Sequence, residues 1–521
     1  MNKRTLKSII IMGISSVVGY LVTLFLTSYV TENIGIEAYG FVSISKTFVS
    51  YGEIVTIALT SFVVRYITIN YHKHDIEAAE SYYVSSINAS IVLCILLSVV
   101  FSILTIKIDC IIKIPQELLH SVRLLFATMF VAFVATTMST PFSTGFYIKD
   151  RLDISGIIKI ISYTANMCVL IVLFSIFNPS LWFVGVGSIV AALIILLGSY
   201  FSNKKLVPDF RYNMRLHSNQ KVKMLLTNGL WNSINQLGNT LNSGLDLLFS
   251  NAMLTDIQTG QIAVSKSIGT IFSSLAGIIF QPLQPELLRT YSEGINGKFL
   301  NQLKKSMKLC GFFGSLAFSG FFALGFLFYK LWLPSQDYNL LHILTIITVF
   351  TYIMDIFLQP IYYVNTLTVK NKIPCFITII GGLLNVVGMF ILIKYTNLGV
   401  YAVPITTAVI MFLINFCFNP VYACWCLGIK RTYFYPLIFK HLFATVLMCF
   451  VFKVISVLFN PGNWIGLVIC AIIMVIIGTV VYFVITFDNE ERVAIIKKIK
   501  NKIKKSILTM LLLLMAIASF A

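Results

Sequence analysis

Apolar residues along the chain are gathered into long runs, which short segments rich in charged residues, Gly, Pro or Asn keep apart. A helix of about 20 apolar residues crosses a bilayer, and the pattern predicts about 14 transmembrane helices. The first six runs are residues 8–30, 41–64, 81–106, 120–146, 155–177 and 181–202. The other eight are residues 224–250, 261–288, 309–333, 341–366, 375–395, 399–424, 436–459 and 464–487. The first run is too long for a signal-peptide core and lacks a small-residue cleavage site, so we interpret it as a retained span. The chain is therefore predicted to be an all-α polytopic membrane protein.

Composition agrees with that fold class. Of the 521 residues, 58% are hydrophobic and 11% are charged, whereas about a quarter of a soluble domain is charged. A soluble enzyme, a disordered chain and a fibrous repeat are therefore excluded. The ten cysteines lie almost entirely inside apolar runs and lack paired metal-ligand spacing, so we interpret them as reduced packing residues and expect no bound metal.

Basic residues are distributed unequally between the segments that link the spans. The chain has 39 Lys and Arg against 20 Asp and Glu, a net charge of +19. With the N-terminus inside, 29 of the basic residues fall in cytoplasmic segments, and only Lys107, Lys113 and Lys394 fall in external loops. The positive-inside rule then predicts that both termini are cytoplasmic.

The two halves of the chain resemble each other. At an offset of 220, Gly40-Phe-Val-Ser-Ile-Ser-Lys46 lies over Gly260-Gln-Ile-Ala-Val-Ser-Lys266, and at an offset of 221 residues 147–153 lie over 368–374. Six spans per unit predict a parallel repeat about an axis along the membrane normal, with substrate handled at the repeat interface. The predicted domains are two six-helix lobes, two additional helices and a basic amphipathic cytoplasmic tail: 1–223, 224–435, 436–487 and 488–521.

The paired Gly…Ser-Lys segments point to a known group of transporters. Together with Gly35-Ile-Glu-Ala-Tyr-Gly40, the Asp246-Leu-Leu segment and residues 385–408, they resemble the multidrug/oligosaccharidyl-lipid/polysaccharide exporter superfamily. The fourteen-span layout is similar to that of its Wzx-type flippases, which export O-antigen and capsule repeat units. The resemblance implies a V-shaped arrangement of two lobes around a cavity that opens to one side at a time. It also implies an undecaprenyl-diphosphate-linked oligosaccharide as substrate and the bacterial inner membrane as location.

Lys46 and Lys266 occupy equivalent positions inside the second and eighth spans. An ionisable residue within a span costs at least ~2.5 kcal/mol on insertion scales, so it is a functional candidate. We interpret the two lysines as cations that hold an anionic diphosphate across the cavity; the alternative is that each extends to the membrane interface. In the lipid II flippase branch of the superfamily, basic residues at matching positions serve the diphosphate, and the resemblance carries that role onto both lysines.

A row of polar side chains follows one face of the seventh span. Because of their 4, 3, 4, 3, 4 spacing, its six members fall within an arc of about 80°. Such a row suits a cavity wall that binds sugar hydroxyls, or else it forms hydrogen bonds between helices. The members are Asn228, Asn232, Asn235, Asn239, Asn242 and Asp246.

Asp246 is a candidate for a second task. It either pairs with Lys266 or binds a coupling cation, Na+ or H+. Some superfamily members place a sodium site there with help from the eleventh span, where Asn385 is available but Met389 stands in place of a carboxylate. That departure weakens the prediction of sodium coupling.

Three other basic residues lie near span ends. Arg65, Arg123 and Lys159 either extend a basic cavity lining or anchor the helices at the interface. The histidines at span ends, His120, His342 and His441, are interpreted as interfacial residues.

The leading prediction is a flippase rather than an enzyme. A multidrug/cation antiporter of the same fold is one alternative, although cationic drugs favour acids over these lysines. A membrane-embedded polysaccharide polymerase or glycosyltransferase is another, but it needs a catalytic constellation in a sizeable external loop, and the external loops are short. The expected partners are the lipid-linked oligosaccharide and membrane lipids, with no nucleic acid, and we expect a functional monomer.

Overall fold

The structure is a computed structural model that describes residues 3–295, 297–368, 370–489 and 491–493. Those residues are helical apart from the segments that connect the helices, and they contain no strand. Most of the predicted basic tail, from residue 494 onward, lies outside the described residues, and so does the side chain of Asn242. The all-α class predicted from the apolar runs is confirmed.

The α-helices of the described residues are numbered in chain order. The first ten are α1 (Lys3–Asn33), α2 (Ile36–Thr60), α3 (Val63–His72), α4 (Ile76–Ile106), α5 (Leu119–Ser139), α6 (Thr144–Ile148), α7 (Leu152–Ile176), α8 (Trp182–Leu206), α9 (Asn219–Ser243) and α10 (Leu245–Met253). The others are α11 (Asp256–Phe280), α12 (Gln284–Ser292), α13 (Gly297–Trp332), α14 (Tyr338–Leu367), α15 (Lys372–Tyr395), α16 (Ala402–Leu413), α17 (Asn419–Leu427), α18 (Tyr435–Phe459) and α19 (Trp464–Thr486).

Thirteen helical segments of the described chain are long and apolar enough to cross a membrane. The predicted seventh span, 224–250, is not among them, because the amide-rich helix α9 lowers its hydropathy. α9 and α10 nevertheless continue one another from Asn219 to Met253. At a rise of about 1.5 Å per residue, they are long enough to cross the hydrocarbon layer.

The internal repeat reappears in the helix boundaries. α2 and α3 together run from Ile36 to His72, and α11 and α12 together run from Asp256 to Ser292. The first and last residues of the two pairs are thus each 220 positions apart, which is the offset of the sequence repeat. α1 ends at Asn33 and α10 ends at Met253, which is the same displacement. α10 therefore corresponds to the end of the first span, and we count α9 and α10 as the seventh.

The repeat's two glycines lie against each other. A Cβ atom on Gly40 would lie 3.3 Å from the Cα of Gly260, and a Cβ atom on Gly260 would clash with the carbonyl oxygen of Ile36. The first turns of α2 and α11 therefore touch backbone to backbone, which only small residues permit.

Packing divides the chain into two compact units. The first contains residues 1–271, 332–351 and 371–414, and the second contains 272–331, 352–370 and 415–521. These units follow packing, whereas the lobes 1–223 and 224–435 follow the repeat, so the division into lobes stays a prediction.

In the first unit, α9 packs along α2 and α15 and also contacts α4. Gly229 lies so close to α2 that a Cβ atom there would clash with the carbonyl oxygen of Ala58. The helix is thus held by a close backbone contact rather than by a broad apolar face, which suits its polar sequence.

In the second unit, α18 and α19 pack together, and His441 lies among α14, α18 and α19. Its Nδ1 is 3.1 Å from the Tyr482 hydroxyl, and its Nε2 is 3.3 Å from the carbonyl oxygen of Ile353. The ring stacks on Phe357 with centroids 4.1 Å apart. The interpretation of His441 as an interfacial residue is wrong, because the side chain is fully buried.

The glycine contact can be tested within one helix. We expect Gly260→Ala to destabilise the protein by about 1–3 kcal/mol, because the added methyl group overpacks the contact with α2. Gly277→Ala, whose Cβ would meet nothing within 4 Å, should stabilise it by up to about 1 kcal/mol through helix propensity. Thermal unfolding of the purified protein in detergent measures both. Equal shifts in Tm for the two variants would contradict the contact.

Candidate functional site

Lys46 and Lys266 lie at matching places on matching helices of the first unit. Lys46 follows the first residue of α2, Ile36, by ten positions, and Lys266 follows Asp256 of α11 by ten positions. Both are therefore about 15 Å along their helices from the end at which Gly40 and Gly260 meet. Neither lysine is fully exposed. The structure thus places both cations at one depth.

Lys266 is paired with Asp246. Its Nζ is 2.9 Å from Asp246 Oδ2, and the two side chains are 20% and 8% exposed. The other carboxylate oxygen, Oδ1, is buried and has no hydrogen-bond partner among the described residues. Of the two alternatives for Asp246, this geometry shows the ion pair. The pair joins α10 to α11.

Lys46 differs from its repeat counterpart. Within the described residues, its ammonium group forms no hydrogen bond or ion pair, so no carboxylate neutralises it as Asp246 neutralises Lys266. Tyr51, further along α2, donates a 3.4 Å hydrogen bond to the carbonyl oxygen of Gly244, at the junction of α9 and α10. The two lysines of the repeat thus differ, because Lys266 has a carboxylate partner and Lys46 has none among the described residues.

The amide row lies on the exposed side of α9. Asn228, Asn232, Asn235 and Asn239 are all exposed, whereas Gly229, Ser233 and Gly238 on other faces are buried. Such an arrangement leaves a polar face open and uses small residues for packing.

The row begins beside a tyrosine that sequence reasoning missed. The Asn228 amide donates to the Tyr66 hydroxyl at 2.8 Å and to the carbonyl oxygen of Met224 at 2.9 Å. The Tyr66 ring stacks on Tyr82 of α4 with centroids 5.2 Å apart. A tyrosine on a separate helix gives no signal in the sequence, because its position beside α9 is set by packing.

The remaining basic candidates are dispersed. Arg65 is exposed and lies over the Phe62 ring, and Lys159 is half-buried in α7. Arg123 forms a 2.9 Å ion pair with Asp109, and its hydrogen bond lowers the pKa of that exposed carboxyl. Their part in a basic lining together with Lys46 and Lys266 stays a prediction.

Asn385 is engaged by its neighbour Thr407. Asn385 Nδ2 lies 3.1 Å from the hydroxyl oxygen of Thr407, and Oδ1 of the same amide lies 3.2 Å from that oxygen. The side chain is 1% exposed. The described residues contain no group of three His, Cys, Asp or Glu side chains that could hold a metal ion. Cation coupling through Asp246 and Asn385 stays a prediction.

Asn251 is a second residue that the sequence did not reveal. It accepts a 2.8 Å hydrogen bond from the Lys113 backbone N–H and donates a 3.0 Å hydrogen bond to the Lys113 carbonyl. Lys113 Nζ also donates to the carbonyl oxygen of Ala252 at 2.6 Å. We call these three bonds the loop clasp. It ties the loop before α5 to the end of α10, close in sequence to the start of α11.

Solved structures share this fold. The chain matches an inward-facing multidrug resistance MATE family transporter of the MOP superfamily with a TM-score of 0.60 and 14% identity, over 79% of this chain and 95% of that chain. It matches the lipid II flippase MurJ, in an inward closed conformation, with a TM-score of 0.67 and 13% identity, over 91% of this chain and 99% of that chain. The fold is therefore that of the MOP-superfamily transporters, as the resemblance implied.

A curated relative covers nearly the whole chain. It is the uncharacterized membrane protein EpsK of Bacillus subtilis (strain 168), 27% identical over 479 residues, which span 92% of this chain and 95% of that protein. No protein-family profile matches the chain. The chain is thus a multi-pass membrane protein with a transporter fold, similar to proteins that include a lipid flippase.

The two lysines should respond differently to loss of charge. A double-mutant cycle compares Lys266→Met, Asp246→Asn and the variant with both changes. We expect it to give an interaction energy of about 0.5–3 kcal/mol in the free energy of unfolding, because each single change leaves one charge without its partner. Lys46→Met is the matched control; it breaks no ion pair and removes an unneutralised charge, so Tm should stay the same or rise. Thermal unfolding in detergent gives each value. An additive cycle would show that the ion pair contributes nothing.

Proposed function

We propose that this protein is a flippase that moves an undecaprenyl-diphosphate-linked oligosaccharide across the bacterial inner membrane by alternating access. The observation that supports it most directly is Lys46, a cation inside a span with no anionic partner among the described residues. An unneutralised cation at such a depth is costly. A diphosphate would compensate its charge with hydrogen bonds as well as attraction.

The amide face of α9 supports a sugar as the other part of the substrate. Amide groups both donate and accept hydrogen bonds, so they match hydroxyl groups, which do the same. Asn232, Asn235 and Asn239 are exposed along this face. A lipid-linked glycan therefore supplies partners for both features, the diphosphate for the lysine and the sugars for the amides.

The ion pair of Lys266 would change when substrate binds. Its ion pair with Asp246 can exchange, because an arriving diphosphate competes with the carboxylate for the same ammonium group. Released from Lys266, Asp246 would then be free to take up H+ or Na+. In this way, binding of the substrate to Lys266 would be coupled to binding of a cation by Asp246.

Two contacts would close the external side. With both termini cytoplasmic, as the basic residues predict, α2 and α11 begin at the external end, where Gly40 meets Gly260. The loop clasp of Asn251 and Lys113 is at the same end of the helices. Release of the substrate outward then requires both contacts to open.

The drug-export alternative is compatible with the fold but less so with the charges. Cationic drugs need an acidic or aromatic site, whereas Asp246 is already neutralised by Lys266. Glu53, exposed on α2, is the acid that such a site would use.

Loss of the basic pair tests the phosphate part. We expect Lys46→Ala and Lys266→Ala each to lower translocation at least tenfold, because each removes a cation that holds the diphosphate. Lys107→Ala, in an exposed external loop, is the control and should leave it unchanged. The measurement is the fraction of lipid-linked oligosaccharide that becomes accessible on the outer leaflet of cells in which the variant replaces the native protein. Normal translocation by both variants would exclude the proposed role of the lysines.

Loss of the amides tests the sugar part. We expect the double substitution Asn235→Leu and Asn239→Leu to abolish translocation, because leucine cannot bind hydroxyl groups, while the protein remains in the membrane. Asn178→Leu, in an exposed loop, is the matched control. The same leaflet assay applies, and efflux of ethidium tests drug export in parallel. Unchanged translocation by the double variant, or efflux that depends on Glu53, would favour the alternative function.

A further inference from the structure

A groove lies between α4 and α9, away from the two lysines. Its volume is about 610 Å³, and most of its lining is apolar. The apolar wall includes Ile91, Val92 and Leu96 of α4 and Val222 and Leu226 of α9. Its polar lining residues include Asn88, Tyr212, His217 and Asn219. All of these residues belong to the first unit.

The polar end of the groove is formed by the segment that connects α8 to α9. The Ser81 hydroxyl donates to the carbonyl oxygen of Leu216 at 2.6 Å, and the Ser218 N–H donates to the Ser85 hydroxyl at 2.9 Å. The Tyr212 hydroxyl donates to Asn88 Oδ1 at 2.7 Å. Serines and asparagine on one face of α4 thus fix the connecting segment against that helix.

Two polar atoms at this end have no partner within the described part of the chain. Asn88 Nδ2 is buried without a hydrogen bond, although Oδ1 of the same amide is bonded. His217 Nδ1 is buried without one as well, although Nε2 lies 2.9 Å from Asn219 Oδ1. Buried polar groups are normally paired. Two such atoms beside one groove indicate a ligand with polar oxygen atoms.

The depth of the groove matches one leaflet of the membrane. α4 ends at Ile106, and about 20 residues of helix cross the hydrocarbon layer, which puts Asn88 near the opposite interface. The positive-inside rule makes that interface cytoplasmic. Arg215 and Lys223, both exposed, are close in sequence to His217, and basic residues there attract anionic headgroups.

We propose that this groove binds an anionic phospholipid of the inner leaflet. The acyl chain lies along the apolar wall formed by α4 and α9. The phosphate oxygens accept from Asn88 Nδ2 and from His217 Nδ1 in the tautomer that carries its proton there, with the Asn219 amide turned so that its NH2 group faces Nε2. The lipid thereby bridges α4 and the segment that enters α9.

The geometry favours a phospholipid over the lipid-linked glycan. The polar end is covered by residues 211–218, which are fixed to α4 by the hydrogen bonds described above. A phosphate group fits beneath such a cover, whereas an oligosaccharide needs open space beyond its phosphates. The proposal concerns a site distinct from Lys46 and Lys266, so it does not depend on what the protein transports.

Native mass spectrometry of the purified full-length protein tests the site, with dioleoyl phosphatidylglycerol and dioleoyl phosphatidylcholine as probes. We expect the native protein to retain phosphatidylglycerol at least fivefold better than phosphatidylcholine. The double variant Asn88→Leu and His217→Phe should lose that preference, because it removes both unpartnered atoms. Val92→Trp, at a residue 58% exposed, should fill the apolar wall and lower retention of both lipids.

Asn70→Leu is the matched control. Asn70 donates only to its own helix, at the carbonyl oxygen of Tyr66, so retention should equal that of the native protein. A native protein without headgroup preference, or unchanged retention in Val92→Trp and in the double variant, would overturn the proposal. Undecaprenyl phosphate that displaces phosphatidylglycerol from the native protein but not from Val92→Trp would also overturn it, by showing that the groove binds the polyprenyl lipid.

Discussion

The close contact between Gly40 and Gly260 sets the geometry of the first unit. It fixes the starts of α2 and α11 at a distance that leaves no room for a Cβ atom on Gly260 and only a tight fit for one on Gly40. Because the helices are equal in length and aligned in the repeat, every later position is then matched in depth. Lys46 and Lys266 come to the same level for this reason. The placement of the candidate site thus follows from the glycine residues at positions 40 and 260.

Lys46 and Lys266 occupy equivalent positions but differ in how their charges are neutralised. Lys266 has Asp246 at 2.9 Å, whereas the equivalent lysine has no such carboxylate among the described residues. The difference comes from α10, the short helix that follows the amide row and carries the acid. Two free lysines would repel each other until a ligand with two negative charges arrived. With Lys266 paired to Asp246, only Lys46 is without a counter-charge. In the proposed mechanism, a diphosphate that displaces the carboxylate would balance both lysines.

How much the sequence could reveal depends on the kind of interaction. Apolar runs and the Gly…Ser-Lys repeat predicted the helices, because membrane insertion and close packing act through residue type and spacing. Asn251, Tyr66 and His441 were not recognised, because each acts through a partner distant in the chain: Lys113, Asn228 and Tyr482. His441 was even misassigned, since a histidine near a span end normally lies at the interface. A single residue carries no pattern that reveals such a partner.

The polar character of α9 fits the cavity wall that we propose. Its hydropathy is too low for α9 and α10 to qualify as a span by composition, and amides exposed to lipid would be costly. Interhelical bonding accounts for Asn228, which binds Tyr66. It does not account for an exposed row that continues through Asn232 and Asn235, because a helix held by Gly229 against Ala58 needs no amides on that side. Exposed amides at Asn232 and Asn235 fit the proposed cavity wall, where they would meet water and a polar substrate.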